Sequence, residues 1–103
     1  MITEMVTVEC HHAKMEETSE WLNKLARYFN EHDLGHVVQV MHHISGPRNQ
    51  FHILINFASM TEYEQKRKLR MDDDGLTAIW AERYALVINS THHFLETTIF
   101  FER

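Results

Sequence analysis

The chain has 103 residues, 44% of them hydrophobic and 24% charged, with only three glycines and one proline; this is room for one folded domain, residues 1–103, and excludes a long disordered tract. Ten Lys and Arg against fifteen Asp and Glu leave a net charge of −5, the wrong sign for a nucleic-acid or anionic-membrane binder, so small molecules and a second copy of the chain are the expected partners. A lone cysteine, Cys10, excludes an internal disulfide, and with no signal-like segment and no membrane-length apolar run the expected location is cytoplasmic.

Ile2 to Cys10 alternates, with Val6, Val8 and Cys10 on one parity and Thr7, Glu9 and His11 on the other, which predicts a strand. From about Met15 to His32 the residues Thr18, Trp21, Leu22, Leu25, Tyr28 and Phe29 recur at three and four positions, an amphipathic helix that Leu34-Gly35 stops. Val37 to Ile44 and Phe51 to Ala58 are β-prone runs joined by Ser45-Gly46-Pro47-Arg48-Asn49, a predicted antiparallel hairpin. Ser59 and Glu62 form a capping-box pattern that opens a second helix carrying Tyr63, Leu69 and the basic group Lys66, Arg67, Lys68 and Arg70. Asp72-Asp73-Asp74-Gly75 breaks or bends it, and the acidic triplet suits the N-terminus of the helical spacing that follows from Leu76 through Ile79, Trp80 and Tyr84 to Val87. His92 to Phe101 reads as a closing strand.

The order β-α-β-β-α-β in so short a chain predicts an α+β, ferredoxin-like sandwich: a four-stranded antiparallel sheet in spatial order 4-1-3-2 with helices on one face. The other face is left uncovered. If it carries Met5, Met41, Leu54 and further apolar residues, pairing two sheets face to face buries it, and a homodimer follows.

Phe57-Ala58-Ser59-Met60-Thr61-Glu62-Tyr63-Glu64, then Leu76 to Val87 with Trp80 at its middle, then a closing strand, resemble the dimeric α+β barrel superfamily that contains the antibiotic-biosynthesis monooxygenase and NIPSNAP-like proteins. The resemblance covers nearly the whole length. It implies two sheets paired around a barrel, with a small organic ligand, haem or a metal held in the barrel or between sheet and helices. Haem-degrading members use an Asn on the first strand, a Trp on the second helix and a His near that helix's end; Trp80 matches, whereas the first strand offers Thr3 and Thr7.

Nine histidines are the oddity of the composition, six of them in the pairs His11-His12, His42-His43 and His92-His93. Their protonation adds nine positive charges to a net −5, so acid sensitivity is expected. The predicted topology gathers seven imidazoles along one rim of the sheet. Alternation then turns Glu9, His11, His52 and Asn56 toward the barrel side; with Val38 and Val40 facing the helices, Gln39 and His43 join them, as does one of His92 and His93. Glu9, His11, His52 and Asn56 are the acid–base candidates, since a carboxylate beside an imidazole sets its tautomer and raises its basicity. His11, His43, His52 and His93 are the candidate ligands of a divalent transition metal, although no H-x-x-x-H or H-E-x-x-H spacing occurs. Trp80 and Tyr63, with Trp21 and Tyr84, are candidates to line a cofactor or aromatic-ligand pocket, although aromatics at helical spacing more often belong to a core. Cys10 reads as a buried, inert thiol, and the Lys66 to Arg70 group as a solvated helical face.

Three functions stay open at this level, and catalysis with them. One is a small homodimer that binds an organic molecule, with the monooxygenase-like or accessory-enzyme role in secondary metabolism that the resemblance implies. The others are a metal- or haem-binding protein and a ligand-free structural or stress-associated dimer.

Overall fold

A computed structural model describes residues 1–98. The elements run β1 (Ile2–Cys10), a 3-10 turn (His12–Lys14), α1 (Met15–Glu31), β2 (His36–His42), β3 (Gln50–Phe57), α2 (Met60–Met71), α3 (Asp74–Ala81), a short α4 (Arg83–Leu86) and β4 (Val87–Glu96). The strands form one sheet in the order β2-β3-β1-β4, all neighbours antiparallel, as the sequence predicts.

Alternation in the two central strands decides which face the helices cover. Val6, Val8 and Cys10 of β1 and Phe51, Ile53, Ile55 and Phe57 of β3 are buried against Trp21, Leu22, Leu25 and Phe29 of α1, with Leu76 of α3 completing the layer. Each fully buried aliphatic or aromatic side chain contributes about 1.5–3 kcal/mol, so this stripe is what fixes α1 to the sheet. The predicted capping box is present, and one member of the acidic triplet caps α3. The Ser59 hydroxyl accepts the Glu62 N–H at 3.2 Å, the Glu62 carboxylate accepts from the Ala58 N–H at 2.6 Å, and the Asp73 carboxylate accepts the Leu76 N–H at 2.9 Å.

Two expectations change. Val87, which fits helical spacing after Tyr84, begins β4 instead, because Val87-Ile88 are β-branched and Val87 pairs with Cys10 at the end of β1. The closing strand therefore starts five residues before His92, and the predicted end of that strand, residues 99–101, lies outside the described residues. A β-bulge between Val37 and Gln39 turns Val38 out to solvent, so Val37 and Val40, not Val38 and Val40, face the helices.

Gly35, where the chain turns from α1 into β2, is buried and has φ 147°, and a Cβ there would lie 2.7 Å from Ile55 Cγ2 and 3.0 Å from Phe57 Cζ. Gly35→Ala is expected to cost about 1–3 kcal/mol, through strain and overpacking together, and to lower the urea midpoint accordingly. An unchanged midpoint would show that this turn repacks freely.

The cleft between sheet and helices as candidate functional site

Glu4 breaks the apolar parity of β1. It shares the helix-covered face with Val6, Val8 and Cys10 and is 2% exposed, in register with Ile55 of β3 and Phe94 of β4. A carboxylate so placed needs partners, and two elements supply them. Arg70, in the last turn of α2, directs both terminal guanidinium nitrogens to Glu4 Oε1 at 3.1 Å each. His92 of β4, paired with Val6 and so diagonal to Glu4, places Nδ1 3.2 Å from Oε2. Burial pushes the Glu4 carboxyl up, but the His92 hydrogen bond and the Arg70 charge and hydrogen bonds outweigh it and hold the group below its ordinary value.

Arg70 is held in turn. Its Nε donates to the Leu34 carbonyl at 3.2 Å, and its guanidinium lies 4.6 Å from the Phe29 ring centroid, 5.5 Å from that of Phe57 and 5.7 Å from that of Tyr63. No residue of α2 is fully buried, and Leu69 is 55% exposed, so α2 is docked through Arg70 and Tyr63 and not through an apolar stripe.

Glu4, Arg70 and His92 line a cleft of about 440 Å³ between the sheet and the helices. Its walls are apolar: Val6, Ile53 and Ile55 from the sheet, Leu25 and Phe29 from α1, Leu76 and Trp80 from α3. Exposed Arg67, Met71 and Tyr84 mark where it opens. Trp80 is stacked on the buried Trp21 with ring centroids 5.6 Å apart, and the Trp21 indole N–H donates to the Ile79 carbonyl at 2.7 Å, which fixes α3 on α1.

The structure divides the sequence-predicted site residues between two faces. Trp80 lines the cleft; Tyr63 is outside its lining and packs edge-on against Phe57 and Phe94 at 5.3 and 4.7 Å, beneath Arg70. Glu9, His52 and Asn56 sit on the open face, in the register expected. There Asn56 accepts from the Thr3 hydroxyl at 2.7 Å, while His52 meets Thr7 Oγ1 at 2.9 Å through Nδ1 and His43 Nε2 at 3.0 Å through Nε2. Desolvation and then the neighbouring His43 charge hold His52 below the ordinary imidazole value. Glu9 makes no hydrogen bond to His52, lying opposite Gln50 instead. His11 has left the strand and is exposed, its N–H bonded to the Leu86 carbonyl.

The imidazole rim is thus only partly formed. His43 and His52 touch, but the early start of β4 carries His92 and His93 to its middle, opposite Val6 and Met5. Of that pair His93 shares the open face with Met5, and His92 faces the cleft. His11, His43, His52 and His93 are accordingly not one ligand set, and among the described residues no group of three or more His, Cys, Asp or Glu is placed to hold a metal ion. For haem, His92 lines the cleft with its Nδ1 engaged by Glu4, and Met71 and Tyr84 line it as well, so the lining marks no single residue as an iron ligand. The Glu4, Arg70 and His92 cluster is the part that sequence reasoning missed. Its signal was a carboxylate on an otherwise apolar strand parity.

Solved structures share this architecture. An uncharacterized NIPSNAP domain protein from Burkholderia xenovorans superposes with a TM-score of 0.86 at 14% identity, covering 100% of both chains. A NIPSNAP family protein from Agrobacterium tumefaciens gives 0.82 at 20% identity, over 96% of this chain and 94% of that one. An antibiotic biosynthesis monooxygenase gives 0.75 at 8% identity, over 96% and 100%. No curated protein matches the sequence. The NIPSNAP family model matches residues 3–100, nearly the whole domain, and the chain therefore belongs to the NIPSNAP family.

Proposed function

We propose that this chain binds a small organic molecule in the cleft between sheet and helices, and does so as a homodimer joined through its open sheet face. The observation that carries the binding reading is the cleft itself. Its volume of about 440 Å³ falls within the range of about 300–1,000 Å³ typical of small-molecule sites, and its walls are apolar around one group of convergent charged side chains. Such a site desolvates an apolar body while a few polar atoms fix its orientation. Fold likeness does not carry a reaction, so the reading is one of binding.

Trp80 supplies the test. In a Trp21→Phe variant it is the remaining tryptophan, and a two-ring aromatic is expected to quench its emission saturably. In the wild type the same ligand is expected to raise the melting temperature, since a ligand at 100 times its Kd adds about 2.7 kcal/mol to stability. Neither quenching nor a thermal shift with a neutral or an acidic two-ring aromatic would overturn the reading.

The dimer reading is supported by the face that no helix covers. Met5, Leu54, Met41 and Leu95 lie on it among Thr3, Thr7, Gln39, His52, Asn56 and His93, and the first two are directly paired across β1 and β3. The face is more polar than a core layer, but Thr3 with Asn56 and Thr7 with His52 satisfy one another and lower the cost of covering it. Sedimentation is expected to give a species of twice 12.3 kDa, and Leu54→Asp to give a monomer. A wild-type monomer at micromolar concentration would contradict this pairing.

A further inference from the structure

The charges that line the cleft run against the charge of the chain. The protein as a whole carries −5, yet the cleft is lined by Arg67, Arg70 and Arg83, with Glu4 as the carboxylate among its lining residues. Arg70 and Glu4 neutralise each other in a pair whose side chains are 14% and 2% exposed. Among the described residues the other two guanidiniums have no acidic partner. Arg83 donates to the Trp80 carbonyl at 2.9 Å and to the Tyr84 hydroxyl at 2.8 Å, both neutral acceptors, and lies 4.9 Å from the Trp80 ring centroid. Arg67 makes no hydrogen bond or ion pair to any described residue. Two cations unpaired by any described carboxylate thus border an apolar cavity, Arg67 at its exposed mouth and Arg83 half-buried beside Trp80, and both attract an anion seated between them.

Resting on the binding reading above, we infer that the occupant is an organic anion: an apolar, ring-sized body against Leu25, Phe29, Leu76 and Trp80, with an acidic group held by Arg67 and Arg83. A neutral ligand of the same shape would leave those cations unused. A cationic one would meet them as like charges. The guanidinium fork also suits a carboxylate better than a point charge would, since it can donate two parallel hydrogen bonds.

A matched pair of ligands tests this. 2-Naphthoate and 2-naphthamide differ in charge and hardly in shape, and calorimetric titration of each into the wild-type protein at pH 7.5 is expected to show the carboxylate binding at least about tenfold tighter, as charge-assisted pairing predicts. Raising the salt from 20 to 300 mM, on the order of tenfold or more, should weaken the naphthoate and leave the naphthamide unchanged. The Arg67→Gln/Arg83→Gln double variant should lose the preference and keep the amide affinity. Equal or tighter binding of the amide, or a preference that survives in the double variant, would overturn the anion assignment and leave the binding reading standing. Binding of neither ligand would overturn both.

Discussion

Replacing Arg70 by Met is expected to destabilise the domain by about 3–5 kcal/mol, since removing one partner of a buried ion pair leaves an uncompensated charge. The Glu4 carboxylate, 2% exposed, would keep His92 alone as a partner, the Leu34 carbonyl would lose its donor, and the cation would vanish from between Phe29 and Phe57. For a domain of this size that loss lowers the melting temperature by more than about 12 °C. Glu4→Gln keeps the shape and discharges the carboxylate, so the Glu4→Gln/Arg70→Met double variant should be more stable than the two single losses added, with a coupling above about 1 kcal/mol. Urea denaturation of the four proteins measures that cycle. Stability of Arg70→Met within about 0.5 kcal/mol of wild type would mean that α2 is not docked through this pair.

Acidification should act in two stages, with signs set by two groups whose folded values are both depressed. His52 titrates below the ordinary 6.5, so the unfolded chain takes up that proton first, and stability falls as the pH drops below about 6.5. Glu4 titrates below the ordinary 4.5, so its contribution is complete above that pH and disappears as the pH falls through the lower folded value. The expected profile is flat from pH 7 to 8, declines gently below about 6.5 and declines again below about 4.5. His52→Gln should remove the upper decline and leave the lower one. Pairing of the open faces would steepen the upper stage, because it takes His52 of each copy further from water. Urea midpoints across the pH range, with sedimentation at pH 7.5 and 5.5, measure both effects. A flat profile down to pH 5 would contradict the role given to His52.

The sheet and its order were legible because alternation in β1 and β3 is nearly unbroken, and because short antiparallel strands admit few right-handed connections. The same alternation placed Glu9, His52 and Asn56 on the open face, and the spacing of α1 placed Trp21 and Phe29 in the core. What failed was local and has physical causes. Tyr84 and Val87 share a three-residue spacing by coincidence, and β-pairing with Cys10 overrode it, carrying His92 and His93 away from the rim. Arg70 looked like one of four solvated cations because its role depends on Glu4, 66 residues away. Nothing in a local window reports such a pair. Glu4 itself was readable as a charge on the buried parity of β1, and asking where its partners lie would have led to α2 and β4.

The central claim is that ligand chemistry belongs to the helix-covered side of the sheet and not to its histidine-bearing open face. The most direct measurement is a two-dimensional amide and indole NMR spectrum of the wild-type protein, titrated with the tighter binder of 2-naphthoate and 2-naphthamide. The account predicts shifts concentrated at the Trp80 indole, Leu76, Val6 and His92, with Leu54, Thr7 and His43 unmoved. Shifts centred on Thr7, His43 and Leu54, with Trp80 unchanged, would contradict it.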